Sequence, residues 1–217
     1  MNPDIELQKR VLEELEWDPA VPASDVGVSA KDGVITLSGH VENFAQKHAA
    51  GRAAQRVHGV KAIAVEINVR IAAAHRRSDT EIAQSIEDYL QQHVAFAADR
   101  VQVGVENGWI TLNGELRWDY QRRMVDEAVR PLKGVTGVSN LIVLKPPVVA
   151  PEGISSRIKE ALSRQALREA KRVEVTVKGS TVTLCGRVHS WKERNAAQGA
   201  AWSAPGVATV INELVVD

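Results

Sequence analysis

The chain has 217 residues, of which 44% are hydrophobic and 25% charged, a balance too apolar for a disordered protein and ordinary for a globular one. Its 27 lysines and arginines equal its 27 acids, which removes the global basicity of a dedicated nucleic-acid binder, and its one cysteine, Cys185, excludes an intramolecular disulfide or a multi-cysteine zinc site. No apolar run approaches the roughly 18–20 residues that cross a bilayer, and the opening MNPDIELQKRVLEELEW has acids where a signal peptide has bases. The cytosol is therefore the expected compartment, with the periplasm expected only for a trimmed chain.

In chain order, Leu7, Val11 and Leu15 recur at i, i+4 and i+8, one stripe of an amphipathic helix. Val26–Ala30 alternates with period two, and Val34–Val41 follows after Asp32-Gly33. Asp-Gly suits a two-residue type I′ turn, which needs positive φ at both central residues, so a β-hairpin is predicted. Phe44–His58 then carries Ala49, Ala50, Ala53, Ala54 and Val57 on one face, a helix whose small residues allow close approach to a sheet. It ends at Gly59, and Ile63, Val65, Ile67 and Val69 form one face of a last strand.

The same order then returns twice. GVITLSGHV at Gly33–Val41 recurs as GWITLNGEL at Gly108–Leu116 and as STVTLCGRV at Ser180–Val188, at offsets of 75 and then 72 residues. At those offsets the first helical stripe becomes Ile82, Ile86 and Leu90, then Ile154, Ile158 and Leu162. The turn becomes Asn107-Gly108 and then Gly179-Ser180, which also suits a primed turn. The second helix becomes Met124, Val125, Ala128, Val129 and Leu132, then Ala196, Ala197, Ala200, Ala201 and Ala204. Three domains are expected, at 4–70, 79–145 and 151–217. A second strand crossing over through a helix to the third strand should return parallel to it. The expected fold class is α+β: three tandem αββαβ modules, each a three-stranded mixed sheet with two helices packed on one face.

The strand motif Val/Ile-Thr-Leu-x-Gly with its glycines Gly39, Gly114 and Gly186, and the helix-ending Gly-Val at Gly59, Gly134 and Gly206, resemble the BON domain, named for bacterial osmotically inducible and nodulation proteins. Asn140 and Asn212 in the last strand fit as well, whereas the first repeat has Val65 there. The resemblance covers essentially the whole chain. It implies an αββαβ fold and a non-enzymatic, transport-associated module without a cofactor. It also implies envelope integrity, osmotic stress and phospholipid binding as the functional setting. Familiar members are exported and commonly have two copies; this chain has three and shows no export signal.

Charge is the most informative local feature. The first module has 8 basic and 10 acidic residues, the second 7 and 10, and the third 10 and 7; Arg76 and Arg77 in the first connector complete the balance. The third module's excess sits on one stretch, Arg157, Lys159, Arg164, Arg168, Lys171 and Arg172, interleaved with Glu160 and Glu169. A basic helix of this kind can rest on anionic phospholipid, each surface cation contributing on the order of 1 kcal/mol.

A second candidate surface is the helix-free face of the sheets. Alternation points Trp109, Leu141 and Val143 outward in the second module, and Ile211 and Val215 in the third, where the first has Glu66 and Asn68. Such faces are expected to be covered by each other or by a protein partner, which makes self-association the alternative function. Nucleic-acid binding is the weakest reading, since Trp109 has no basic strand face around it. Trp118 and Trp191, at the end of the second strand, are expected to cover the end of a small core. The six histidines show no metal-ligand spacing, no base recurs beside Cys185, and no carboxylate pair is singled out by the repeats. Neither catalytic residues nor a metal site are expected.

Overall fold

The computed structural model describes residues 3–147, 151–164 and 173–216, without the side chains of 151–153, 163 and 164. By internal contacts the chain forms two compact units, Met1–Gly114 with Met124–Leu141, and Glu115–Arg123 with Ile142–Asp217.

Three αββαβ repeats follow one another. The first is α1 (Pro3–Trp17), a 3-10 turn (Ala23–Asp25), β1 (Val26–Lys31), β2 (Val34–Val41), α2 (Phe44–Arg56) and β3 (Ala62–Val69). The second is α3 (Asp79–His93), a short α4 (Ala95–Ala98), β4 (Val101–Glu106), β5 (Trp109–Leu116), α5 (Asp119–Val129), β6 (Gly137–Asn140) and β7 (Val143–Leu144). The third is α6 (Pro151–Arg164), β8 (Val173–Lys178), β9 (Thr181–Val188), α7 (Trp191–Trp202) and β10 (Thr209–Val216).

In each sheet the second strand is central, antiparallel to the first and parallel to the last. The hairpin register is identical: Val26 faces Gly39, Val101 faces Gly114 and Val173 faces Gly186. This register explains the motif glycine. Its φ is +111° at Gly39, +141° at Gly114 and +128° at Gly186, and a Cβ would overlap the carbonyl oxygen of Asp25 at the first and of Arg100 at the second. Only glycine satisfies both demands.

The turns divide as their sequences demand. Asp32 and Gly33 both have positive φ (54° and 83°), as do Asn107 and Gly108 (52° and 76°), the type I′ signature. In the third hairpin Gly179 carries the positive φ (60°) and Ser180 does not, the type II′ pattern.

Alternate residues of the central strands are buried: Ile35 and Leu37, Ile110 and Leu112, Val182 and Leu184. Against them lie the predicted stripes Leu7, Val11, Leu15; Ile82, Ile86, Leu90; and Ile154, Ile158, Leu162, all buried. Each such side chain contributes roughly 1.5–3 kcal/mol. Ala49, Ala50, Ala53 and Ala54 of α2 and Ala197, Ala200 and Ala201 of α7 are buried as well, which lets those helices approach the strands closely, while Ala196 is half-buried.

Some expectations are corrected. Met124 is exposed although it aligns with the stripe of α5, because Val125 and Val129 fill that face. Val65 is exposed although Ile67 on the same face is buried, because β3 is an edge strand and the helix offers only Gly51 over it. The last strand of the second repeat is interrupted between Asn140 and Val143, yet Leu112 opposite Asn140 and Glu115 opposite Val143 keep one register, so Ile142 still points into the core. The short α4 has no counterpart in the sequence pattern.

A cap repeats at the second helix. The side chain of Gln46 accepts from Glu42 N, that of Gln121 from Arg117 N and Trp118 N, and that of Glu193 from His189 N. Asn43 and Ser190 return the cap to Gln46 N and Glu193 N, whereas the second repeat has Trp118 at that position. These side chains satisfy amides that the helix cannot.

Candidate docking surfaces

The basic stretch of the third repeat begins on α6. Ile154, Ile158 and Leu162 sink into a core formed with Val182, Leu184, Ala197 and Ala201. Arg157 and Lys159 are exposed, and neither makes a hydrogen bond or ion pair among the described residues. At 100° per residue they stand roughly 160° apart, one on each flank of the buried stripe. The outermost line of the helix carries Ser156 and Glu160, both with partners of their own. The cations therefore do not converge on a point, and only an extended surface could meet both. The side chain of Arg164, and Arg168, Lys171 and Arg172 entirely, lie outside the described residues.

The apolar sheet-face residues are all exposed: Trp109 50%, Leu141 58%, Val143 56%, Ile211 44% and Val215 57%. Trp109 is held in place. Its ring lies against Gly137, where any side chain would collide with it, and its indole N–H donates to Ser139 Oγ at 2.9 Å. Trp191 is half-buried as expected of an end cover, with the Arg194 guanidinium 5.0 Å from its ring, and Arg194 also donates to the carbonyls of Asn212 and Leu214. Trp202 is likewise half-buried and lies 4.6 Å from the guanidinium of Arg122.

The repeat alignment also pairs two aspartates. Asp4 and Asp79 stand at equivalent positions at the start of the first helix. Asp4 Oδ2 accepts from Asp32 N, and Asp79 accepts from both Asn107 N and Gly108 N at 2.8 Å. The outer amides of a two-residue hairpin turn have no strand partner, and these carboxylates supply one. The third repeat has Pro151 in that place.

Cys185 donates to Glu213 at 3.1 Å; that bond, with burial second, pushes its thiol pKa up, which disfavours the nucleophilic thiolate. Asp119 is buried but paired with Arg122 and Arg123. Among the described residues no group of three His, Cys, Asp or Glu could hold a metal ion, and no helix is long and apolar enough to cross a membrane.

The sequence profile of the BON domain matches residues 3–71, 78–146 and 152–217. Over 124 residues the chain is 27% identical to Osmotically-inducible protein Y of Escherichia coli (strain K12), covering 55% of this chain and 62% of that protein. The match thus spans about three-fifths of that relative's length. Among solved structures, CdsD, a structural protein of the type III secretion system of Chlamydia trachomatis, aligns over 98% of this chain and 92% of its own at 16% identity and a TM-score of 0.27. Its C-terminal domain aligns over 98% of both chains at 17% identity and the same TM-score. At that score neither bears on the fold.

Proposed function

The chain belongs to the BON domain family, and from that premise we propose that it is a binding protein rather than an enzyme, docking on anionic phospholipid or an envelope-associated partner in an osmotic-stress or transport-associated role. The docking units in this reading are the domains 4–70, 79–145 and 151–217, with α6 of the third making first contact.

The observation that carries the reading is the pair Arg157 and Lys159, exposed and without ion-pair partners among the described residues on a helix anchored by its buried stripe. Two cations flanking one helix suit a flat charged surface. At on the order of 1 kcal/mol each they account for an affinity difference of more than about tenfold. Likeness to an osmotically inducible protein supports the physiological setting. The test is co-sedimentation with vesicles of phosphatidylglycerol and of phosphatidylcholine. Wild type should pellet with the first alone, less so at high salt, and Arg157→Glu with Lys159→Glu should lose at least about tenfold in affinity. Equal pelleting with both vesicle types would overturn the reading.

A second reading, self-association or scaffolding through the outer sheet faces, is favoured by the pinned and half-exposed Trp109. It requires a mass that rises with concentration and a Trp109→Ser variant that stays monomeric. A mass constant across concentrations in the wild type counts against it.

A further inference from the structure

The corner where a repeat's first helix, hairpin turn and helix-ending glycine meet is built differently in the first two repeats. In the first, the corner around Asp4, Gly33 and Gly59 encloses about 350 Å³, and its charges cancel, Arg10 and Lys61 against Asp4 and Asp32. In the second, the equivalent corner around Asp79, Gly108 and Gly134 widens to about 720 Å³, because the end of β3 and the connector supply a further wall. That wall brings Arg70, Arg76 and Arg77, while the turn residue equivalent to Asp32 is the neutral Asn107.

Three cations thus share a cleft with one acid, and the acid is occupied. Both oxygens of Asp79 accept turn amides. Outside the cleft lining, Glu81 accepts from the amide and hydroxyl of Ser78 in a capping box and also feels the charge of Arg77. The guanidinium groups of Arg70 and Arg76 have no partner among the described residues, and Arg77 donates one N–H to the carbonyl of Arg76. Single surface arginines need no explanation, but three lining one concavity form a set of planar forks suited to a tetrahedral oxyanion. Val69 and Ile71 give the cleft a half-buried aliphatic patch, and Ser78, Asn107 and Thr136 add polar lining. The volume lies within the range of about 300–1,000 Å³ that small-molecule sites occupy.

We propose that this cleft binds a phosphate monoester, its phosphoryl group held by Arg70, Arg76 and Arg77 and its organic part lying against Val69 and Ile71. The site shares no residue with α6. Arg70 ends the first sheet's last strand and Arg76-Arg77 precedes α3, so an occupied cleft ties the connector to both repeats.

The experiment is calorimetric titration of the intact chain with glycerol 3-phosphate, against chloride at matched ionic strength, beside sedimentation with vesicles containing phosphatidic acid, whose headgroup is itself a phosphate monoester. Saturable binding of glycerol 3-phosphate is expected, weakened at least about tenfold by Arg70→Ala, Arg76→Ala and Arg77→Ala together and unchanged by Arg157→Glu with Lys159→Glu. Binding confined to vesicles but lost in the triple-alanine variant keeps the site and assigns the phosphoryl group to a lipid headgroup. Vesicle binding lost only in the α6 variant concerns the docking reading alone. Trypsin provides a readout that does not depend on the triple variant. Glycerol 3-phosphate should slow cleavage after Arg76 and Arg77, and Arg70→Ala, which keeps the cleavage site, should lose that protection. No saturable binding of either probe, or binding that survives the triple variant, overturns the proposal.

Discussion

The first two repeats clasp their hairpin turns with a carboxylate from the first helix; the third reaches the same hairpin register with a proline at that position. The clasp is therefore dispensable for the fold. The positive-φ residue in the turn and the motif glycine opposite the first strand are shared by all three. What the clasp adds is a fixed corner between helix and turn, and in the second repeat that corner is the mouth of the arginine cleft. The third repeat, without it, holds the chain's excess of positive charge. One scaffold thus carries two groups of exposed cations, the arginines beside the first connector and Arg157 with Lys159 on α6.

If the three repeats are equivalent at the strand glycine, Gly39→Ala, Gly114→Ala and Gly186→Ala should each destabilise by about 3 kcal/mol or more, since all three have a φ that alanine avoids and at Gly39 and Gly114 a Cβ also meets a backbone carbonyl. Denaturant unfolding of the three variants checks this, and a neutral substitution at any one breaks the equivalence. The clasps should differ in strength. Asp79→Ala, which frees the amides of Asn107 and Gly108, should cost about 1–2 kcal/mol, and Asp4→Ala, which frees the amide of Asp32, about 1 kcal/mol. At the second helix, Asn43→Ala and Ser190→Ala should each cost about 1 kcal/mol as lost caps. In the second repeat that capping function should instead be lost with Gln121→Ala, because Gln121 serves both amides.

A further effect is a pH dependence that arises in the first two repeats. His48 contacts Arg130, which also pairs with Asp126. Burial first, then the charges of Arg130 and Arg52, lower its pKa from 6.5 to about 4. Below pH 6.5 the unfolded chain takes up a proton that the folded chain refuses, so stability should fall as pH drops from 6.5 towards 4. The lowered carboxyls of Glu81, held by the Ser78 amide, and Asp18, held by Arg56, act below their ordinary values of 4.5 and 3.8. Between 4.5 and 6.5 the slope should therefore be largely removed by His48→Gln. A slope unchanged in that variant would assign it elsewhere.

The repeats, the element order, the hairpin turns and the core stripes were legible in the residues, because each depends on local geometry: periods of 3.6 and 2, and the φ demands of two-residue turns. The exposed outer face was legible too, since alternation along a strand decides which side Trp109 and Val215 take. The capping pairs Asn43 with Gln46 and Ser190 with Glu193 also lay within reach as a local spacing. The aspartate clasps were harder to see, since Asp79 meets its amides 28 and 29 residues later and only the alignment of repeats singles it out.

By itself the sequence determined a thrice-repeated helix-hairpin-helix-strand unit and the glycines it cannot do without, because steric limits on φ and the periodicity of burial act residue by residue. Only the tertiary structure decided that Val65 is left uncovered and that Arg70, Arg76 and Arg77 line one cleft. Those outcomes depend on which surfaces the packed helices and strands leave open, and that is a property of distances through space rather than along the chain.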